Sequence, residues 1–121
     1  MKRILIVDDL DLWRHLARAI LLEAGYEVTE AESGEEAIRL AQSSPPDLVL
    51  TSLEMPKLNG VETARRLRAL PRFESVPIIL LTTVELPGGW HEPPAPFVDG
   101  YVNKRCAVAQ LLECVESHLR Q

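Results

Sequence analysis

Pro46-Asp47-Leu48-Val49-Leu50-Thr51-Ser52-Leu53-Glu54-Met55-Pro56-Lys57-Leu58-Asn59-Gly60 reads as a buried strand that runs into a loop and then opens a helix. Asp47 to Thr51 is short and mostly apolar, as a strand covered on both faces needs. After Asn59-Gly60 the apolar positions Val61, Ala64, Leu67 and Leu70 recur at helical spacing. The same strand-then-helix unit recurs upstream. Ile4-Leu5-Ile6-Val7 is a continuously apolar strand. From Asp11 to Ala24 the residues Leu12, Leu16, Ile20 and Ala24 lie four apart, with Trp13, Ala17 and Leu21 widening the stripe. Gly25 stops that helix from a C′ position.

Tyr26 to Ala31 returns to a short strand. Ser33-Gly34-Glu35-Glu36 fits a capping box, in which the serine hydroxyl reaches forward and Glu36 reaches back. Ala37, Ile38 and Ala41 form the buried face of the helix it starts, and Pro45-Pro46 end it. Pro77 to Leu81 and Val98 to Val102 supply two further strands, and Ala107 to Leu119 a last helix.

Strands alternating with helices imply right-handed crossovers and an α/β fold, a doubly wound five-stranded parallel sheet with helices on both faces. Ligands of such sheets gather at the carboxyl ends of the strands. Asp8, Asp9, Ser52, Thr82 and Lys104 all fall there, which makes one candidate site of five scattered residues. The crossover between Thr83 and Val98 breaks the pattern. It carries four prolines and Gly88-Gly89, so the fourth helix is expected to be largely replaced by a Pro/Gly-rich loop over residues 84–97.

The chain of 121 residues is expected to form one domain, residues 1–121, with a single sizeable core. Apolar residues at 46% and charged residues at 26% are ordinary for a globular protein, and a net charge of −5 argues against nucleic acid as partner. The run Arg65-Arg66-Leu67-Arg68 reads as a solvated helix face. Asp8 and Asp9 interrupt the first apolar segment too early for a signal peptide, and no long apolar run suggests a membrane span. Cys106 and Cys114, eight apart on one helix, would lie about 12 Å apart along its axis, beyond disulfide reach. A cytoplasmic location with reduced thiols is expected.

Taken in order, Val7-Asp8-Asp9, Pro46-Asp47-Leu48-Val49-Leu50, Met55-Pro56-Lys57-Leu58-Asn59-Gly60, Val76-Pro77-Ile78-Ile79-Leu80-Leu81-Thr82 and Gly100-Tyr101-Val102-Asn103-Lys104 resemble the receiver domain of two-component response regulators over nearly the whole chain. The resemblance implies the flavodoxin-like receiver fold. It also implies a phosphorylated aspartate at the position that Ser52 holds here. It makes Asp9 a direct Mg²⁺ ligand, Asp8 a ligand mainly through water, and the carbonyl of Glu54 a further oxygen donor. Thr82 would hydrogen-bond a phosphoryl oxygen, Lys104 would pair with its charge, and Tyr101 would be the rotamer that reports switching. Arg105 stands where the family usually has a proline joined by a cis peptide, so a trans bond is expected.

Each of these residues also has a plainer reading. Asp8-Asp9 could cap the first helix. Lys104 could be a structural counter-ion to Asp9. Ser52 could fill a vacated position, and Glu54 could be a solvent-facing loop residue or a partial replacement for the missing charge. Trp90 and Phe97 could form an exposed docking surface or cover the sheet.

The expected function is an atypical receiver, or pseudo-receiver, in two-component signalling. It would act by protein–protein contact without aspartyl phosphorylation at the usual site. Its partner would be a signalling protein, a histidine kinase or an output domain, with a homodimer left open. A hydroxyl is a poor nucleophile without a base, and no histidine stands in the motif. Two aspartates would still give weak Mg²⁺ affinity. The alternatives are phosphorylation of Ser52, Thr51 or a neighbouring acid, and an engineered Asp-to-Ser form of an ordinary receiver. No Gly-rich phosphate loop or GxSxG elbow supports an enzyme.

Overall fold

A computed structural model of the protein describes residues 1–83, 97–106 and 108–120. In chain order it forms β1 (Arg3–Val7), α1 (Asp11–Glu23), β2 (Glu27–Ala31), α2 (Gly34–Ser43), β3 (Leu48–Ser52), α3 (Gly60–Arg68), β4 (Ile78–Thr82), β5 (Gly100–Asn103) and α4 (Val108–Leu119). The five strands form one parallel sheet in the order β2-β1-β3-β4-β5. Strand order reverses beside β1, so a crevice opens at the carboxyl ends of β1 and β3.

The apolar runs of the strands divide between two cores, because successive side chains leave a strand on opposite faces. Leu5, Val7, Val49, Ile78 and Leu80 join Ala37, Ala41, Ala64 and Leu67 of α2 and α3. Ile4, Ile6, Leu48, Leu50, Ile79 and Leu81 join Ala17 and Leu21 of α1 and Leu111 and Val115 of α4. Strand bounds differ from expectation by one or two residues, and two of the shifts bear on the site. β3 continues to Ser52, which brings that residue into the ladder opposite Leu81. β5 begins at Gly100 instead of Val98, because Asp99 is turned to hold Arg68 and the amide of Ile78.

The largest departure is the rotation of α1. Leu12 is 74% exposed and Leu16 and Ala24 also face out, while Arg14, Ala17 and Leu21 form the buried line. Arg14 causes this. Its guanidinium donates to the carbonyl of Asp8 at 2.9 Å and to Asp11 at 2.6 Å, and faces Glu30 and Glu32 at 3.4 and 3.6 Å. Burial alone lowers the pKa of Arg14, but the Asp11 hydrogen bond and the charges of Asp11, Glu32 and Glu30 outweigh it and raise it.

Local signals worked largely as the residues suggest. Gly25 has φ +96°, and the amides of Gly25 and Tyr26 close onto the carbonyls of Leu22 and Leu21 in a Schellman end. Ser33 accepts from the Glu36 amide at 3.1 Å, but Glu36 reaches back to the amide of Glu32, one residue beyond the expected partner. Asn59 caps α3 through the Glu62 amide at 2.8 Å. Cys106 precedes α4 instead of lying in it; both thiols are free, and burial pushes Cys114 up to about 11. The described residues contain no cis peptide bond, Lys104–Arg105 included.

The basic run of α3 is solvated only in part. Arg65 and Arg66 pair with Glu62 at the surface, whereas Arg68 turns inward. It donates to the carbonyls of Phe97, Phe73 and Val76 and to Asp99, tying α3 to the starts of β4 and β5. Phe97 packs against the core under α2 and α3, the covering role considered for it. Trp90 and residues 84–96, expected to form the Pro/Gly-rich loop, lie outside the described residues.

Two substitutions test this framework. A Cβ on Gly60 would sit 2.3 Å from the carbonyl oxygen of Ser52 and 2.9 Å from Cα of Leu53. Backbone cannot yield there, so Gly60→Ala should lower unfolding free energy by about 1–3 kcal/mol in urea denaturation. Arg68→Ala should cost about 1–3 kcal/mol by leaving three partly buried carbonyls and Asp99 without this donor, while Arg65→Ala leaves the unfolding midpoint near wild type.

Candidate functional site

The site forms where the carboxyl ends of β1, β3, β4 and β5 converge. Asp8 leaves β1 with its amide still bound to the carbonyl of Ala31 at 3.1 Å. Its residue is 1% exposed. One carboxylate oxygen accepts from the amide of Leu10 at 3.0 Å, and the other forms an ion pair with Lys104 at 2.7 Å. Lys104 is set in place by its own amide, which bonds the carbonyl of Thr82 at 2.8 Å and so extends the β4–β5 ladder by one residue.

Ser52 closes the set. Lys104 Nζ donates to Ser52 Oγ at 3.1 Å, and Ser52 Oγ–H donates onward to the carbonyl of Glu54 at 3.2 Å. The hydroxyl thus accepts from an ammonium and spends its proton on a backbone oxygen. Lys104 is a hydrogen-bond donor in this arrangement. To act as a base toward Ser52 it would have to lose its proton and leave a buried carboxylate unpaired, at a cost of about 3–5 kcal/mol. The Ser52–Lys104 contact is therefore not an activated nucleophile of the serine–lysine kind.

The expected residues separate into those brought together and those that are not. Asp8, Ser52, Lys104 and the carbonyl of Glu54 form one connected chain. Lys104 pairs with Asp8 and not with Asp9, correcting the counter-ion expectation. The reason is burial: Asp8 is the acid that points under the strand ends, whereas Asp9 is half-buried. Glu54 is exposed and enters the site by its carbonyl. Thr82 is buried at the end of β4, opposite Asn103. Tyr101 is half-buried on β5 and packs on the core under α2 and α3. Thr51 is fully buried, its hydroxyl donating to the carbonyl of Ser52 at 3.2 Å.

Two residues escaped the sequence reading. Arg14 carries a charge at core spacing with Ala17 and Leu21, and that mismatch was the available signal. Trp13, taken as part of an apolar stripe, lies with its ring centroid 5.7 Å from Lys104 Nζ.

The donor set fits Mg²⁺ in part. Asp9 Oδ1 is buried and has no hydrogen-bond partner among the described residues, so an oxygen suited to a hard cation is available. The other donors are committed, Asp8 to Lys104 and the Glu54 carbonyl to Ser52. No group of three His, Cys, Asp or Glu side chains placed to hold a metal occurs among the described residues.

Lys104→Met should lower unfolding free energy by about 3–5 kcal/mol, since it strands the Asp8 carboxylate. Adding Asp8→Asn should recover a large part of that loss. Urea denaturation of the single and double variants checks both.

Residues 4–116 match the response regulator receiver domain. The gliding motility regulatory protein of Myxococcus xanthus is 40% identical over 85 residues, 70% of this chain, which spans only 11% of that protein's length. The polar-differentiation response regulator DivK of Brucella ovis is 29% identical over 98% of this chain and 96% of its own. Among solved structures, the response regulator TrrA of Thermotoga maritima in complex with Mg²⁺–BeF superposes with a TM-score of 0.84. It is 37% identical and aligns over 98% of this chain and 99% of that one. With the family match covering residues 4–116, the chain belongs to the response regulator receiver domain family of two-component signalling.

Proposed function

We propose that this chain is an atypical receiver, residues 1–121, in which Ser52 stands where the family carries its phosphorylated aspartate. On this reading it signals through protein contact without aspartyl phosphorylation there. The observation that carries the reading is the closed chain Asp8–Lys104–Ser52–Glu54 carbonyl. In an ordinary receiver a metal and a phosphoryl group would supply and absorb the charge at this place. Here an ammonium neutralises the buried acid and a hydroxyl caps the carbonyl, so both are partnered from within, while Asp9 Oδ1 keeps no hydrogen-bond partner among the described residues. A carboxylate at position 52 could not donate to Glu54 and would draw Lys104 away from Asp8.

Bound Mg²⁺ would supply positive charge for phosphoryl oxygens, and Asp9, Asp8 and the Glu54 carbonyl are the residues that would hold it. It would have to compete with Lys104 for Asp8 and with the Ser52 hydroxyl for the carbonyl, so weak affinity is expected. The module is not an enzyme in its own right. Receivers work with kinases and output domains, and the partner here is proposed to be a signalling protein, a histidine kinase or an output domain. A homodimer is a further arrangement to test. Nucleic acid does not suit a net charge of −5. No helix among the described residues is long and apolar enough to cross a membrane, and a cytoplasmic location is proposed.

The second reading keeps the site as a working phosphoacceptor. The Ser52 hydroxyl beside Lys104 is the observation in its favour, but that hydroxyl is committed at both ends. Thr51 is fully buried and so a poorer acceptor still. An engineered Asp-to-Ser form of an ordinary receiver would share the geometry.

Intact mass after incubation with acetyl phosphate and Mg²⁺ decides between them. The protein should take up no phosphoryl group, while Ser52→Asp, with Thr82 and Lys104 in place, should gain a label that hydroxylamine removes. A hydroxylamine-resistant label on the unsubstituted protein would sink the proposal and place the phosphate on Ser52 or Thr51. A labile one would place it on Asp8, Asp9 or Glu54.

A further inference from the structure

We propose that Trp13 is a positioning residue for Lys104: its indole holds the ammonium on Asp8 and Ser52, and thereby sets how readily the aspartate pair takes a divalent cation. The inference deepens the reading of Asp8 and the Glu54 carbonyl as partnered from within and rests on it. Lys104 follows β5 in a loop, where a lysine side chain ordinarily keeps its rotamer freedom in water. Here the side chain is only 5% exposed. Asp8 pairs with it as an ion at 2.7 Å, and Ser52 Oγ accepts its hydrogen bond at 3.1 Å. The Trp13 ring, 5.7 Å from Nζ to centroid, stands at a distance where a π face attracts a cation, and tryptophan offers the best such face.

Arg14 explains why the ring is there. Its buried guanidinium, bound to the carbonyl of Asp8 and to Asp11, fixes the rotation of α1. That rotation turns Leu12 and Leu16 outward and leaves Trp13 half-buried. Two consecutive residues of one helical turn therefore hold Asp8 from both ends. Arg14 grips its carbonyl, and Trp13 acts through Lys104 on its carboxylate. Trp13 and Lys104 share the lining of a cavity of about 90 Å³ with Leu16, Ile20, Val108 and Leu111.

Mg²⁺ needs carboxylate oxygens, and the ammonium on Asp8 opposes it. A change that loosens Lys104 should therefore favour the cation, and binding of the cation should loosen Lys104 by the same factor. The test uses the full chain, ¹⁵N-labelled, with two readouts. One is the Lys104 ammonium resonance, and the other is the shift of the Asp8, Asp9 and Leu10 amides on titration with MgCl₂. Trp13→Phe keeps a π face and Trp13→Met removes it while filling the space; Trp13→Leu replaces the latter should it not fold. The unsubstituted protein and W13F should show a slowly exchanging ammonium resonance. W13M should lose that resonance and bind Mg²⁺ roughly three- to tenfold tighter, the range set by one partly buried cation–π contact.

The proposal is overturned if W13M keeps both the resonance and the wild-type affinity. It is also overturned if W13F changes as much as W13M, since side-chain bulk and not the π face would then be decisive. Tight Mg²⁺ binding by the unsubstituted protein, with the ammonium resonance undisturbed, would refute the internally partnered site instead. The role of Trp13 would then be judged by the resonance alone, standing if only W13M loses it and failing if W13M keeps it.

Discussion

A carboxylate taken out of water must find a cation, and Asp8 finds it in Lys104, a residue from the far end of the chain. In the sheet, β3 and β4 lie between the strands that carry the two, so the pair closes over the ends of both. Ser52 at the end of β3 then falls beneath that bridge, where it accepts from the ammonium and donates a hydrogen bond to the carbonyl of Glu54. The order of the strands, the length of a lysine side chain and the burial of one aspartate together determine what a residue at position 52 touches.

The surroundings are built to keep this pair in place. Gly60 lets α3 begin directly against the backbone of Ser52 and Leu53, at a distance no side chain would permit. Arg14 anchors the β1–α1 loop from below, and Arg68 anchors the starts of β4 and β5 at the opposite end of the sheet. Arg14 is buried and Arg68 partly buried, each against several acceptors, and each stabilises a junction between elements more than any single element. Surface pairs such as Glu62 with Arg65 hold the carboxyl of Glu62 down to about 2 through that hydrogen bond, yet they sit in water and contribute little to the fold.

The fold itself was legible because its signals are local or periodic. Continuous apolar runs at Ile4–Val7 and Leu48–Leu50, the stop at Gly25, the cap at Ser33 and the helix start at Asn59-Gly60 each act over a few residues. The motifs along the strand ends likewise pointed to Asp8, Ser52 and Lys104, which the structure connects. What misled was α1. Apolar spacing favoured Leu12 and Leu16 as its buried line, and periodicity cannot weigh a buried arginine with four acidic or carbonyl partners against two leucines. The choice of Asp8 over Asp9 as the partner of Lys104 was equally out of reach, since adjacent residues share every local signal and differ only in where the strand end points them.

By itself, then, the sequence determined the class of fold, the approximate ends of most elements and the placing of Asp8, Ser52 and Lys104 at the strand ends. These follow from hydrophobic period, turn chemistry and strand order, all of which are written in neighbouring residues. Tertiary structure alone decided the rotation of α1, the inward turn of Arg68, the placing of Trp13 on Lys104 and the pairing of Lys104 with Asp8. Each of those depends on which groups lose water when distant segments close on one another, and the cost of a buried charge is settled by the partner that arrives, not by the residue that carries it.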